Sequence, residues 1–396
     1  MCKHNGPQLW GKTFILTILA SFFTITSTHV LMSTLPIYVQ QTGGSKTAAG
    51  LIISVFTISA VLFRPLAGNL VDTKGRRVVL LAGIAIQILG SFSYAFVSTV
   101  VLLLVIRFFH GIGWSAATTA SGTVVADIVP PERRGEGIGY YGVASTLAMA
   151  VGPSLGLYLS GRHGYHAVFA FSCLLGAIGL AGAVMIGYEG KGREQADHRD
   201  RREKGLPGFE GLVEKTALPT SAVILFIAFT YGGIITFIPS YALYRGIDNA
   251  GSFFTVYALA VLAARLFTGR IADKYGGSRV MLPGMLLMGF SLVMLAYALT
   301  MGGFLLAGVF YGLGFGAVQP VLNAITVTLA PENRRGAANA TFFSAMDVGI
   351  GIGAAAWGIV SQRSGFPFVY GLSSVFILLS LAAYFAVLKN KLPENQ

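Results

Sequence analysis

Charge is scarce in this sequence. Only 11% of its 396 residues are Asp, Glu, Lys or Arg, less than half of the roughly 25% usual in soluble domains. So little charge cannot cover a water-facing surface, and the deficit points to a chain embedded in lipid. Cysteine is nearly absent too. Cys2 and Cys173 are too few for a disulfide framework or a cysteine-held metal site. Neither H-E-x-x-H nor C-x-x-C occurs, so we expect no enzyme, no catalytic residue, no bound metal and no cofactor. Two phosphate-binding patterns fail on context. "GPQLWGKT", Gly6 to Thr13, spells a P-loop, but that cradle needs a preceding strand and only five residues stand before it. "GIGYYG", Gly137 to Gly142, opens an apolar run with no strand ahead of it.

What the chain has in abundance is apolar length. It is 54% hydrophobic with 51 glycines and a mean hydropathy of +0.69. In lipid, small residues at helix contacts let backbones approach closely. A membrane helix takes roughly 20 mostly apolar residues. On that basis spans fall near 13–38, 48–70, 78–97, 100–126, 137–160 and 166–188. Six more fall near 218–243, 250–271, 279–299, 303–328, 337–360 and 366–388. The first run follows Lys3 and Lys12 and has the look of a signal peptide. Cleaving it would leave an odd number of spans, so it is read as helix 1.

Lys and Arg set the orientation. With twelve spans, 21 of the 28 fall on one side, four on the other (Lys46, Arg162, Arg245 and Arg363), and Arg64, Arg107 and Arg265 lie within or at the edge of spans. The bias puts both termini in the cytoplasm. It also explains the formal charge of +12 without nucleic acid as a partner. The segment from Glu189 to Thr216 carries seven bases and seven acids and reads as a solvated linker. The expected domains are a first half (1–188), a cytoplasmic loop (189–217) and a second half (218–396).

The two halves repeat. "RPLAGNLVDTKG" at Arg64 aligns with "RLFTGRIADKYG" at Arg265, 201 positions later, and "FHGIGWSA" at Phe109 aligns with "FYGLGFGA" at Phe310 at the same offset. "PPERRGEG" at Pro130 matches "PENRRGAA" at Pro331 with one inserted residue. A repeat of six helices is the mark of paired membrane halves in secondary transporters.

These segments resemble the major facilitator superfamily over nearly the whole chain. Gly68-x-Leu70-x-Asp72-x-x-Gly75-Arg76-Arg77 is similar to the family's loop 2–3 signature, and a weaker copy with Gly269 and Asp273 stands in loop 8–9. "LLLVIRFFHGIG" resembles the helix 4 signature, with Arg107 as its arginine. "AMAVGPSLGL" resembles the helix 5 signature of exporters through Gly152, Pro153 and Gly156, with Leu157 in place of a final glycine. The resemblance implies an all-α fold of twelve transmembrane helices in two pseudo-symmetric six-helix halves. It also implies that the loop 2–3 signature latches the halves together on the cytoplasmic side. Asp72 would then dock on the N-terminus of helix 11, where the helix dipole favours an anion, and Arg76 would pair with Asp72 and Asp127. A plainer alternative is that these charges only enforce topology.

Ionisable groups near mid-membrane are costly and functional by default. Asp347 alone among the acids lies deep, about ten residues or roughly 15 Å from the cytoplasmic end of helix 11. Its repeat counterpart is Thr146, so symmetry does not demand an acid there. Desolvated at that depth, a carboxyl can take and release a proton during transport; the alternative is a structural acid bonded to a neighbouring helix. Drug–proton antiporters often carry an acid in helix 1, and this chain has none. A His29–Arg107–Asp347 relay is the expected replacement.

The resulting expectation is a proton-coupled secondary transporter of the drug–proton antiporter type. It would be a monomer in the cell membrane, exporting a small amphipathic compound by alternating access, with protons and the lipid bilayer as its other partners. Polar and aromatic residues at mid-depth are the substrate-cavity candidates: Thr28, Tyr231, Phe237, Tyr311, Gln319 and Asn323. "GGIITFIPSYALYRGIDNAGSFFTVYALAVLAARL" and "AMDVGIGIG" also resemble exporters of opine-type metallophores. Uptake by symport is a further alternative, and a non-transporting membrane receptor is the rival from another class.

Overall fold

A computed structural model provides the three-dimensional view. It describes residues 10–130, 133–186, 213–247, 249–331 and 334–391, except the side chains of residues 72, 134–136, 138, 270, 273 and 336. Most of the loop expected at 189–217 therefore lies outside the described residues.

Every described element is helical. The first helices are α1 (Lys12–Gln41), α2 (Lys46–Lys74), α3 (Arg76–Ser93) and α4 (Val100–Ile128). A long run, Arg134–Val184, follows. After the loop come α7 (Leu218–Tyr244), α8 (Gly251–Tyr275), α9 (Ser278–Tyr297) and α10 (Met301–Leu329), then a second long run, Arg335–Ala383. Among the described residues, ten runs are long and apolar enough to cross a membrane. The two longest each break at one glycine, Gly164 (φ 77°, ψ 178°) and Gly365 (φ 79°, ψ 171°). Each is therefore two helices, which gives α5 (134–163), α6 (165–184), α11 (335–364) and α12 (366–383) and brings the total to twelve.

The backbone carries the repeat as clearly as the sequence does. Gly164 and Gly365 are 201 positions apart, and so are Gly75 (φ 92°) and Gly276 (φ 90°), which turn α2 into α3 and α8 into α9. Only glycine adopts these positive φ values without strain. Side-chain caps start two of the helices. Ser45 Oγ accepts from the Ala48 N–H, and Thr300 Oγ1 accepts from the Gly303 N–H, satisfying donors that a helix start leaves unpaired.

Small residues bring the helices together. A Cβ at Gly111 would meet Phe56 O at 2.3 Å, at Gly232 Ile350 O at 2.4 Å, and at Gly353 Phe229 O at 2.2 Å. In each case a side chain would force the backbones apart. Leu62, Leu66, Phe96, Leu259, Leu266 and Phe267 are exposed on the outside of the bundle, as expected of helices that face hydrocarbon.

The two halves meet along α2 with α11, α5 with α8, and α1 with α7. We call the end of the bundle that carries Lys12, the α2–α3 turn and Lys391 the basic face. Near the opposite face the halves are closed. A Cβ at Gly50 would come 2.2 Å from Ala354 O, Ser54 donates to Gly351 O at 2.6 Å, and Gln40 donates to Ser240 at 2.8 Å. The Lys46 N–H and ammonium reach Gln362 Oε1 and Ser361 O at 3.1 and 3.3 Å. Towards the basic face the halves part around a cavity of about 560 Å³, lined by Gly139, Tyr140, Arg265, Gly269, Pro320 and Thr328 among others.

Glu214, read from sequence as part of a solvated linker, is buried instead. Its carboxylate accepts from the Thr216 N–H and hydroxyl and pairs with Arg334, while its own N–H donates to Thr341. The Thr216 N–H, followed by the hydroxyl and Arg334, holds this carboxyl below its ordinary value. The end of the central loop is thus pinned to the second half.

Candidate functional site

The deepest charge contact joins the two halves. Arg64, on α2, donates to Asp347, on α11, at 2.5 Å, with side chains 15% and 12% exposed. Its repeat image lies on the other interface. Arg265, on α8, occupies the position of Arg64, and Thr146, on α5, occupies that of Asp347. Arg265 donates to Thr146 Oγ1, and to Gln319 Oε1 on α10 at 2.8 Å. The same contact is therefore made twice, once as an ion pair and once with neutral acceptors.

Among the described contacts no hydrogen bond or ion pair links His29, Arg107 and Asp347 as the expected relay requires, since Asp347 pairs with Arg64. Arg107 is fully buried in the first half, where its Nε donates to Ile52 O at 3.3 Å and its guanidinium lies 4.2 Å from the Phe56 ring centre. The Tyr94 hydroxyl stands beside the guanidinium, but neither terminal nitrogen of Arg107 makes a well-formed hydrogen bond. His29 Nδ1 bonds Ile25 O one turn back at 2.9 Å, and its ring packs on Trp114. The reason is geometric: Arg64 reaches Asp347 directly across α2 and α11, whereas Arg107 turns to Ile52 and Phe56 of α2 within its own half.

The latch residues fall as follows. Arg76 Nε donates to Asp127 Oδ2 at 3.0 Å, joining α3 to α4. The side chains of Asp72 and Asp273 lie outside the described ones. Gly68 and Gly269 have no atom within 4 Å of where a Cβ would sit, and Gly269 borders the cavity. The helix 5 signature packs α5 onto α1. A Cβ at Gly152 would lie 2.7 Å from His29 Cβ, and one at Gly156 2.6 Å from Val30 O. The stretch from Gly152 to Gly156 also spells G-x-S-x-G, but a nucleophile elbow needs a strand-to-helix turn and this stretch is mid-helix.

The six cavity candidates are placed differently from expectation, since none of them borders the cavity. Thr28 donates to Gln87 of α3 at 2.7 Å. Tyr311 bonds Thr230 at 2.8 Å. Tyr231 stacks on Phe315, with ring centres 5.2 Å apart. Phe237 packs near Phe366, and Asn323 Oδ1 is buried without a partner. Gln319 alone connects to the cavity, through Arg265. Mid-depth position sets how far along a helix a residue lies but not which way it faces. Among the described residues no group of three or more His, Cys, Asp or Glu could hold a metal.

The sequence places Arg64 and Arg265 within or at the edge of spans and at the head of the repeated segment, without naming a partner for either. The signal was present, since each heads one copy of the repeated segment and Asp347 and Thr146 share the same offset.

Twelve helices in two repeated halves, close-packed near one end and parted around a cavity towards the other, mark a multi-pass membrane protein. The Major Facilitator Superfamily model matches residues 17–253 and 247–396, and the chain belongs to that family. A staphylopine export protein of Staphylococcus aureus is 25% identical over 393 residues, covering 96% of this chain and 97% of its own. An uncharacterized MFS-type transporter of Methanocaldococcus jannaschii is 25% identical over 390 residues, covering 96% and 99%. The crystal structure of a D-xylose–proton symporter superposes with a TM-score of 0.75 at 17% identity, covering 96% of this chain and 98% of that one. That likeness is one of fold. These proteins are transporters, not enzymes.

Proposed function

We propose that this transporter exports a small amphipathic compound in exchange for protons, with Asp347 as the proton carrier. The observation that carries the reading is the Arg64–Asp347 pair, because it joins proton occupancy to the meeting of α2 and α11. When the halves part at the face opposite the basic one, Arg64 and Asp347 separate. A desolvated carboxyl without its cation favours the protonated form, so Asp347 loads a proton from that side. As that face closes again, Arg64 returns and competes with the proton for the carboxyl, and the proton leaves towards the basic face. The reading places the basic face in the cytoplasm and the chain as a monomer in the cell membrane. In it the loop 2–3 signature, Asp72 included, braces the opposite conformation, with the basic face closed.

A second reading is export of an opine-type metallophore, favoured by the full-length match to the staphylopine export protein. Both readings are tested by transport into proteoliposomes from a compound panel that includes opine-type metallophores, with a proton gradient imposed. Accumulation that collapses with the gradient supports proton-driven export. Accumulation that ignores it removes Asp347 from its role.

A further inference from the structure

We propose that the transported compound carries a carboxylate or similar anionic group, and that Arg265 binds it. This rests on the proposed export function and takes the cavity as the route of the exported compound. The two halves bury the same arginine at repeat-related interfaces, but they compensate it differently. Arg64 meets the carboxylate of Asp347. Arg265 meets only the neutral oxygens of Thr146 and Gln319, and the Nε atoms of both arginines are buried without a partner. Burying a cation without an opposite charge is costly. Away from the helix ends, the described side chains set Arg64, Arg107 and Arg265 against one acid, Asp347.

What separates Arg265 from the other two arginines is access. Arg107 is sealed in the first half and Arg64 is already paired, whereas Arg265 lines the 560 Å³ cavity. The planar fork of arginine suits a carboxylate, which it binds through two parallel hydrogen bonds. Around it the cavity offers Tyr140, Val143, Pro320, Val321 and Ile325, a mainly apolar wall for the rest of the molecule. A substrate carboxylate seated here would complete on α5 and α8 the ion pair that Asp347 completes on α2 and α11.

The test uses the full chain in lipid nanodiscs and two fluorescent probes of equal size: dansylglycine, an aromatic carboxylate, and its neutral amide. Wild type should bind the acid at least about tenfold more tightly than the amide, a difference of about 1.4 kcal/mol. R265Q should lose that preference, and R265K should keep part of it. T146D provides an independent arm. It installs the acid found at the repeat-related position, so it should neutralise Arg265 from within and abolish the preference for acid over amide. Sodium chloride should compete only weakly. The proposal is overturned if wild type fails to prefer the acid, if R265Q or T146D retains the preference, or if chloride displaces the acid readily. No proton gradient is involved, so acid preference without proton-driven transport would fault the export reading alone.

Discussion

Arg64 of α2 and Asp347 of α11 stand 283 positions apart in the chain and meet at 2.5 Å where the two halves join. Removing one partner of a buried pair leaves an unpaired charge and costs about 3–5 kcal/mol, whereas removing both costs far less. Arg64→Ala should therefore lower the thermal midpoint of the purified protein markedly, and Arg64→Ala with Asp347→Ala should recover much of the loss. Melting curves of the single and double variants check this. Additive losses would mean that the pair is not coupled.

A different outcome is expected at Arg107, whose terminal nitrogens are buried without a well-formed hydrogen bond. An apolar side chain of similar length costs less to bury than an uncompensated guanidinium. Arg107→Met should raise the melting temperature while transport falls at least about tenfold, the pattern of a functional charge retained at the expense of stability. A stabilised variant that transports normally would reduce Arg107 to packing.

Gly152 tests the contact between α1 and α5. A methyl group there would sit 2.7 Å from His29 Cβ and 3.1 Å from the His29 backbone, too close without moving a helix. Overpacking of this kind costs about 1–3 kcal/mol. Gly152→Ala should lower the melting temperature, whereas Gly139→Ala, which has open space around it, should leave it within error.

The loop 2–3 signature is best tested through accessibility. Asp72→Asn should leave insertion intact, reduce transport, and raise the labelling of a cysteine placed at Tyr140, which lines the cavity. Unchanged labelling with full transport would leave the signature as a topology signal only.

Much of the architecture was legible because membrane spans are written in length and hydropathy, which need no partner to be recognised. The repeat was legible for the same reason: Arg64 and Arg265 head matching segments. Pairing was harder to read. A single helix sequence gives the depth of Thr28 or Phe237 but not its facing, so residues expected at the cavity turned out to be packed against α3 and α12. Asp347 stands out in the sequence as an acid in an apolar span, and the fold buries it. Its partner was missed because Arg64 lies on the other half, where only the packed fold brings it near. Glu214 looked like one charge among many in a polar loop until Thr216 and Arg334 enclosed it.

That enclosure has a pH signature. Glu214 is held below its ordinary value near 4.5, so its ionised form is favoured by folding. The stability it contributes is complete above that value, begins to fall as the pH drops past it, and is gone below the depressed folded value. Glu214→Gln should therefore melt a few degrees lower than wild type at neutral pH, and the gap should close in strong acid. A gap that widens in acid would contradict the assignment.

The central claim is that Asp347 carries the coupled proton, and Asp347→Asn tests it most directly. The amide keeps the shape and can still accept from Arg64, but it cannot cycle a proton. Counterflow and proton-driven accumulation should be measured side by side in proteoliposomes. The account predicts that Asp347→Asn retains energy-independent exchange and fails to concentrate substrate under an imposed pH gradient. Accumulation by Asp347→Asn at the wild-type level would contradict it and place the coupling group elsewhere.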